Sequence, residues 1–212
     1  MPWLKMLFPL RRRPGVTHEQ LVSYWREVHM PRVVAHLTPN RYSVTLFDQR
    51  PDTPFDGMAS VTYDDPDRAR REQGRRMPVE VADDGFGDLV EPASRLETTE
   101  HVIVDGPRPE GACKLTGLVA AGPGLSLAEG WRLWLDVHAP NVAKGFTDGG
   151  GLRYVVNLAD QNRGEPPFLG AAELWFSDRD AARRHLAQVP PDEFLTVTKP
   201  LLLPGIEVIG IG

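Results

Sequence analysis

"YWREVHMP" at residues 24–31 returns, little changed, as "LWLDVHAP" at 133–140. Leu21, Trp25, Val28 and His29 fall near one face at helical spacing, so the phrase reads as part of an amphipathic helix. Met30 and Ala139 each precede a proline, which disfavours α geometry in the residue before it. The helix is therefore expected to end or kink beside each histidine. Two roles are open for His29 and His138. Each can donate to the unpaired carbonyls of a helix end, or each can be the proton-moving group of a site.

Working outward from the phrase, the whole chain reads twice. At an offset of 109, Lys5 meets Lys114, Pro14-Gly15 meets Pro123-Gly124, Trp25 meets Trp134 and His29 meets His138. "RYSVTLFDQ" (41–49) matches "RYVVNLADQ" (153–161), and "PFDGMASVTYDD" (54–65) matches "PFLGAAELWFSD" (167–178). "TTEHVIVDG" (98–106) matches "VTKPLLLPG" (197–205). Four blocks in one order indicate tandem duplication. The joint is placed in the turn-rich "DGPRPEGA" (105–112), giving repeats at 1–108 and 109–212.

Each repeat opens with a short apolar strand and a Pro-Gly turn. A capping pair follows, Thr17 with Gln20 and Ser126 with Glu129, before the helix. Two strands, a second helix and a fourth strand complete the pattern. The second helix is better marked at "RDAARRHLAQ" (179–188) than in the Asp-, Arg- and Gly-rich 66–91. The order β-α-β-β-α-β is the ferredoxin-like split arrangement, an α+β class. Such a unit leaves one sheet face bare. Two tandem units packed sheet to sheet, as a pseudo-dimeric α/β barrel within one chain, are the expected architecture; further homo-oligomerisation is left open.

The net charge of −5 argues against nucleic acid or an anionic membrane as partner. No apolar run approaches the roughly 20 residues of a membrane helix. The basic residues of "MPWLKMLFPLRRRPG" follow the apolar run, the reverse of a secretory signal, so a cytoplasmic location is expected. The single Cys113 rules out an internal disulfide and a cysteine-rich zinc site. There is no GxGxxG after a strand, no phosphate loop, no HExxH and no nucleophile elbow. No cofactor and no metal are expected.

"LRRRPGVTHEQLVSYWREVHMPRV", with the later "PFDGMASVTYDD" and "GFGDLVEPA", resembles the EthD domain family of the dimeric α/β-barrel superfamily. The resemblance covers most of the first repeat and is looser in the second. It implies a superfamily of cofactor-free cyclases, isomerases, monooxygenases and haem-degrading enzymes. A fold shared this widely leaves the chemistry to the site residues.

Strand alternation sorts those residues. Tyr42, Val44 and Leu46, and Gly57, Ala59, Val61 and Tyr63, form apolar rows expected to meet the helices. The mixed rows, expected to face the interior, carry Ser60, Thr62, Asn157, Glu173 and Trp175, with Lys5 and Lys114 on the first strands. Glu173 is read as a general base, or as the ion-pair partner of Lys114 or Arg153. Trp175 is read as a wall for a ring, or as packing. Tyr42, Tyr154 and His101 complete the substrate-binding candidates, and His29, His138 and Glu173 the catalytic ones. Arg11, Arg12 and Arg13 have no counterpart in the second repeat and read as a solvated loop or an anion-attracting rim. His18, His36 and His185 read as surface or helix-end residues. The expected function is cofactor-free proton-transfer chemistry on a hydrophobic aromatic or polyketide-like carbonyl compound: cyclisation, dehydration, isomerisation or decarboxylation. A monooxygenase and a non-catalytic carrier are the rivals.

Overall fold

The structure is a computed structural model that describes residues 4–51, 53–74, 78–92, 94–160 and 166–212. All candidate site residues lie within them. The first half contains β1 (Leu4–Leu10), α1 (His18–Tyr24), a π-helical turn (Trp25–His29), α2 (Met30–His36), β2 (Arg41–Phe47) and β3 (Gly57–Tyr63). It continues with α3 (Pro66–Gly74), α4 (Val79–Ala82), a 3-10 turn (Phe86–Asp88) and β4 (Leu96–Val104). The second half contains β5 (Cys113–Ala121), α5 (Leu127–Leu133), a π-helical turn (Trp134–His138), α6 (Ala139–Ala143) and β6 (Gly151–Ala159). It closes with β7 (Gly170–Phe176), α7 (Arg179–Leu186), α8 (Glu193–Val197) and β8 (Thr198–Ile211). The fold is mixed α+β with an eight-stranded antiparallel sheet in the order β1-β3-β2-β8-β5-β7-β6-β4.

Two compact units divide the chain differently from the sequence repeats. Met1–Glu97 with Glu207–Gly212 forms one, and Thr98–Ile206 the other. β4 and β8 each begin in one unit and finish in the other. β8 is also longer than the expected fourth strand, at 14 residues.

In the first unit β3 pairs antiparallel with both β1 and β2, with Ala59 opposite Phe8 and Val44. That register puts Tyr42, Ala59, Val61 and Tyr63 on one face, where they pack with Leu21, Trp25 and Val33 of the helices. Gly57 is required there: a Cβ would lie 2.7 Å from the Thr45 carbonyl and 2.9 Å from the Trp25 ring. In the second unit β5 pairs with β7 and β8, and β6 with β7 and β4. Tyr154, Leu174, Leu115 and Val156 pack there with Trp134, Val142 and Ala181. The apolar rows do meet the helices.

The helices depart from expectation beside the histidines. Pro31 and Pro140 do not end them; the helical path continues into α2 and α6. Proline has no N–H to give and its ring crowds the carbonyl four residues back. The preceding turn loosens to π geometry instead, with Met30 N–H donating to Trp25 O and Ala139 N–H to Trp134 O. Neither His29 nor His138 therefore sits at a helix end. The Thr17–Gln20 capping box forms in both directions. The second cap is one-sided: Ser126 Oγ accepts from Glu129 N–H, while the Glu129 carboxylate turns to Arg132 at 2.7 Å.

No helix among the described residues is long and apolar enough to cross a membrane.

Candidate active sites

The π-helical turns bring Trp and His, four residues apart, onto the sheet side of their helix. Single-turn π segments of this kind are frequent at functional sites. In the first unit His29 Nδ1 lies 2.7 Å from Asp84 Oδ2, and its ring stacks on Phe86 at 4.0 Å between centroids. In the second unit His138 Nδ1 lies 2.9 Å from Asp192 Oδ2 and stacks on Phe194 at 4.8 Å. Trp25 packs on Phe86 and Trp134 on Phe194. Both aspartates are themselves held. Asp84 Oδ1 accepts from Phe86 N–H, and Asp192 Oδ1 from Leu195 N–H as the cap of α8. Gly85, at φ 92°, supplies the left-handed residue that lets Asp84 and Phe86 both reach His29.

These partners carry a repeat of their own, "VADDGF" (81–86) against "VPPDEF" (189–194), at an offset of 108. Val81 and Val189, Asp84 and Asp192, and Phe86 and Phe194 occupy matching places. Periodicity does not reveal it, because neither segment has the pattern of a strand or a long helix. The signal that could have found it is V-x-x-D-x-F after each second helix.

Each His–Asp pair borders an apolar cavity between sheet and helices. The first is about 180 Å³ and includes Phe8, Leu10, Trp25, His29, Tyr42 and Ala59 in its lining. The second is about 190 Å³ and includes Gly117, Trp134, His138, Tyr154, Leu174 and Leu202. Engineered apolar cavities of about 150 Å³ bind benzene, so each is of the size for a single ring.

The Nδ1–carboxylate bond assigns the ring proton to Nδ1 and leaves Nε2 as the basic nitrogen. Burial lowers the His29 pKa from its ordinary 6.5, and the Asp84 hydrogen bond and charge only partly offset this. Burial thus favours the neutral imidazole of His29, the form that can act as a base. For Asp192, burial opposes ionisation, but hydrogen bonds from Asn141, His138 and Leu195 N–H outweigh it and hold the carboxyl below its ordinary value. Burial pushes the Tyr42 hydroxyl up to about 12 and raises that of Tyr154, so both phenols keep their protons.

Glu173, Asn157, Trp175, Ser60 and Thr62 lie on the opposite face of the sheet. Glu173 is fully buried, 2.6 Å from Lys114 Nζ, and accepts from Asn157 Nδ2 at 2.9 Å. Trp175 is 2% exposed, with Lys114 Nζ 4.6 Å and Arg108 Cζ 5.2 Å from its ring centre. Glu173 is an ion-pair partner of Lys114 in this arrangement, and Trp175 a cation-bearing core ring. Ser60 and Thr62 are buried on the same kind of face in the first unit, where neighbouring Ser43 donates to Glu207 at 3.0 Å. The expectation that the histidines and the mixed rows share one site is corrected. A histidine projecting from a helix meets only the helix-side face, and alternation turns Glu173, Asn157, Ser60 and Thr62 away from it. His101 lies opposite Val156 on β6 and lines neither cavity.

His185 is in the last turn of α7, the helix-end alternative, but it is buried against Phe146 and Phe176 and not at the surface. His18 pairs with buried Asp56 at 2.9 Å, and Arg12 bonds the same carboxylate, so this arginine is not a loose rim residue. Among the described residues, no group of three or more His, Cys, Asp or Glu could hold a metal ion.

The EthD domain family matches residues 13–74. No curated protein sequence matches the chain. Among solved structures, an anthrone oxidase-like protein superposes with a TM-score of 0.68 at 12% identity, over 99% of this chain and 93% of its own. A monooxygenase-like protein from Fusobacterium nucleatum gives 0.60 at 10% identity, over 98% and 94%. A mutant chlorite dismutase from Candidatus Nitrospira defluvii gives 0.56 at 8% identity, over 96% and 90%. These neighbours belong to the dimeric α/β-barrel superfamily, and at such identities the likeness is one of fold.

Proposed function

Taking the EthD domain in the first half of this chain as the premise, we propose a small-molecule enzyme made of two tandem ferredoxin-like units, each with its own cavity. The reaction is proton transfer at carbon in a compact, ring-bearing carbonyl or phenolic compound, without a cofactor. The observation that carries this reading is the His–Asp pair beside an apolar cavity, built twice.

The cavity takes the ring, and the aspartate fixes the imidazole so that Nε2 is basic. Nε2 of His29 or His138 removes a proton from the carbon beside the carbonyl. The imidazolium is stabilised by Asp84 or Asp192. Tyr42 or Tyr154, protonated at neutral pH, is the donor available to the developing enolate oxygen. Returning the proton to a different carbon completes an isomerisation; returning it to a leaving hydroxyl completes a dehydration. In cyclisation the enolate carbon attacks a second carbonyl, whose oxygen takes the proton from the imidazolium; in decarboxylation loss of CO2 forms the enolate, and a protonated imidazole delivers the proton to its carbon. Glu173 has no part in this chemistry.

The test is exchange of the C–H beside the carbonyl of cyclohexanone, and of other small ring ketones, in D2O, followed by NMR. Wild-type protein should accelerate exchange, and His29→Gln with His138→Gln together should lower the rate by about 10²–10⁴-fold. Asp84→Asn and Asp192→Asn should reduce it while leaving ligand affinity near wild type. Binding with no exchange would replace this reading with that of a carrier. Oxidation is the rival chemistry, favoured by the oxidase- and oxygenase-like names of the structural neighbours. Oxygen consumption during turnover would establish it instead.

A further inference from the structure

The two cavities match at most positions: Leu10 with Val119, Trp25 with Trp134, His29 with His138, Val33 with Val142, and Tyr42 with Tyr154. The largest difference is at one place on the first strand of each repeat. Phe8 stands where the second cavity has Gly117. Phe8 walls the first cavity along β1, which contributes only Phe8 and Leu10. With a glycine there, three successive same-face positions of β5, Leu115, Gly117 and Val119, line the second.

The neighbouring strand then joins in. Gly117 pairs with Leu202 and Val119 with Pro200, and both β8 residues line the cavity. The second cavity therefore runs across four strands, β8, β5, β7 and β6, roughly 14 Å at ordinary strand spacing. The first crosses three, β1, β3 and β2, roughly 10 Å. The volumes are nearly equal, so the difference is one of outline: the second cavity reaches across one strand more. Leu202 is 46% exposed, and its side chain lies over Gly117 at the outer end of the longer cavity, 3.3 Å from where a Cβ would stand.

Resting on the proposed function, we infer that the cavities select different ligands, and that the residue at 8 or 117 sets the choice. The first takes a compact single ring. The second takes a ring or chain with an apolar tail, the tail running from β5 towards Pro200 as the exposed Leu202 side chain turns aside from over Gly117.

Each cavity contains one tryptophan, so the indole N–H signals of Trp25 and Trp134, assigned with Trp25→Phe and Trp134→Phe, report the two separately in ¹H–¹⁵N NMR. Toluene is the compact probe and n-octanol the elongated one. Toluene should shift both indoles; n-octanol should shift Trp134 at a concentration at least tenfold lower than it needs for Trp25. Phe8→Ala should bring the Trp25 response to n-octanol to within about threefold of that of Trp134. Leu202→Trp, which fills the outer end from an exposed position, should weaken n-octanol at Trp134 and spare toluene. Gly117→Phe should do the same. A Cβ at Gly117 already lies 3.3 Å from Leu202, so the Leu202 variant carries the test if that protein does not fold. Equal responses of both indoles to n-octanol in the wild type, or no change on Phe8→Ala, would overturn the inference and leave the proposed function standing. No response of either indole to either probe would overturn both.

Discussion

Removing the Glu173 carboxylate takes from Lys114, fully buried, an anionic partner at 2.6 Å. Breaking one side of a buried ion pair costs about 3–5 kcal/mol, whereas replacing both sides with apolar groups of similar shape is often close to neutral. Urea unfolding should therefore show Glu173→Gln strongly destabilised, and Lys114→Met with Glu173→Leu recovering most of the loss. If Glu173→Gln were as stable as wild type, the ion pair would have no structural role. His29 makes an opposite kind of contribution. Its folded pKa lies below 6.5 because burial disfavours the cation. The unfolded chain then binds the proton more readily, so this stability is present above about pH 6.5 and fades as pH falls towards the folded value. His101 and His185 are lowered by burial too, so wild type should lose stability in the same window. In His29→Gln the slope of melting temperature against pH should be shallower below about pH 6.5. An unchanged slope would show His29 to titrate normally.

At the scale of elements, the π-helical turns couple a sequence accident to a site. Pro31 and Pro140 withhold one N–H each, and the ladder adjusts by one residue next to the histidine. Pro31→Ala restores the N–H and allows the α register to return. The protein should stay folded while His29 loses its Asp84 bond. The measurement is the imidazole ¹⁵N shift, which should move from a fixed Nδ1–H tautomer towards an average; a retained tautomer would dismiss the proline as its cause. The caps make a second comparison. Thr17→Ala breaks both arms of a capping box and should cost about 1 kcal/mol, whereas Ser126→Ala breaks one and should cost less. Chemical denaturation distinguishes the two.

For the molecule as a whole, the repeat and the compact unit are different objects. A fragment of residues 1–108 retains the start of the first unit but lacks Glu207–Gly212, which belong to it. It also carries the Thr98–Val104 stretch of β4, whose partner β6 lies in the other half. Each half expressed alone should aggregate or associate with itself, because open strand edges pair with other chains. Mixing the halves should restore the far-UV spectrum and a single species in size-exclusion chromatography. A stable, monomeric 1–108 would mean that the strand exchange contributes little.

Much of this was legible in the chain. The doubled "YWREVHMP" phrase, the alternating rows of β2, β3, β6 and β7, and the capping residues are local patterns of period two or 3.6, and they determined the elements, their order and the helix-facing rows. Those periods put Tyr42 and Tyr154 on helix-facing rows, but that His29 and His138 meet these tyrosines and not the mixed rows was decided by the fold. Which carboxylates meet the histidines was decided only in three dimensions. Asp84 and Asp192 arrive from irregular segments 55 and 54 residues away, whose path follows from tertiary packing rather than from any repeat of side chains. Glu173, placed mid-strand where a buried charge is costly in isolation, reads as a general base or as the ion-pair partner of Lys114 or Arg153. The fold supplied Lys114 on the next strand, and the cost became a contact. Sequence by itself set which residues share a face; only the tertiary structure decided which faces meet, because that depends on how helices, strands and loops distant in the chain close over one another.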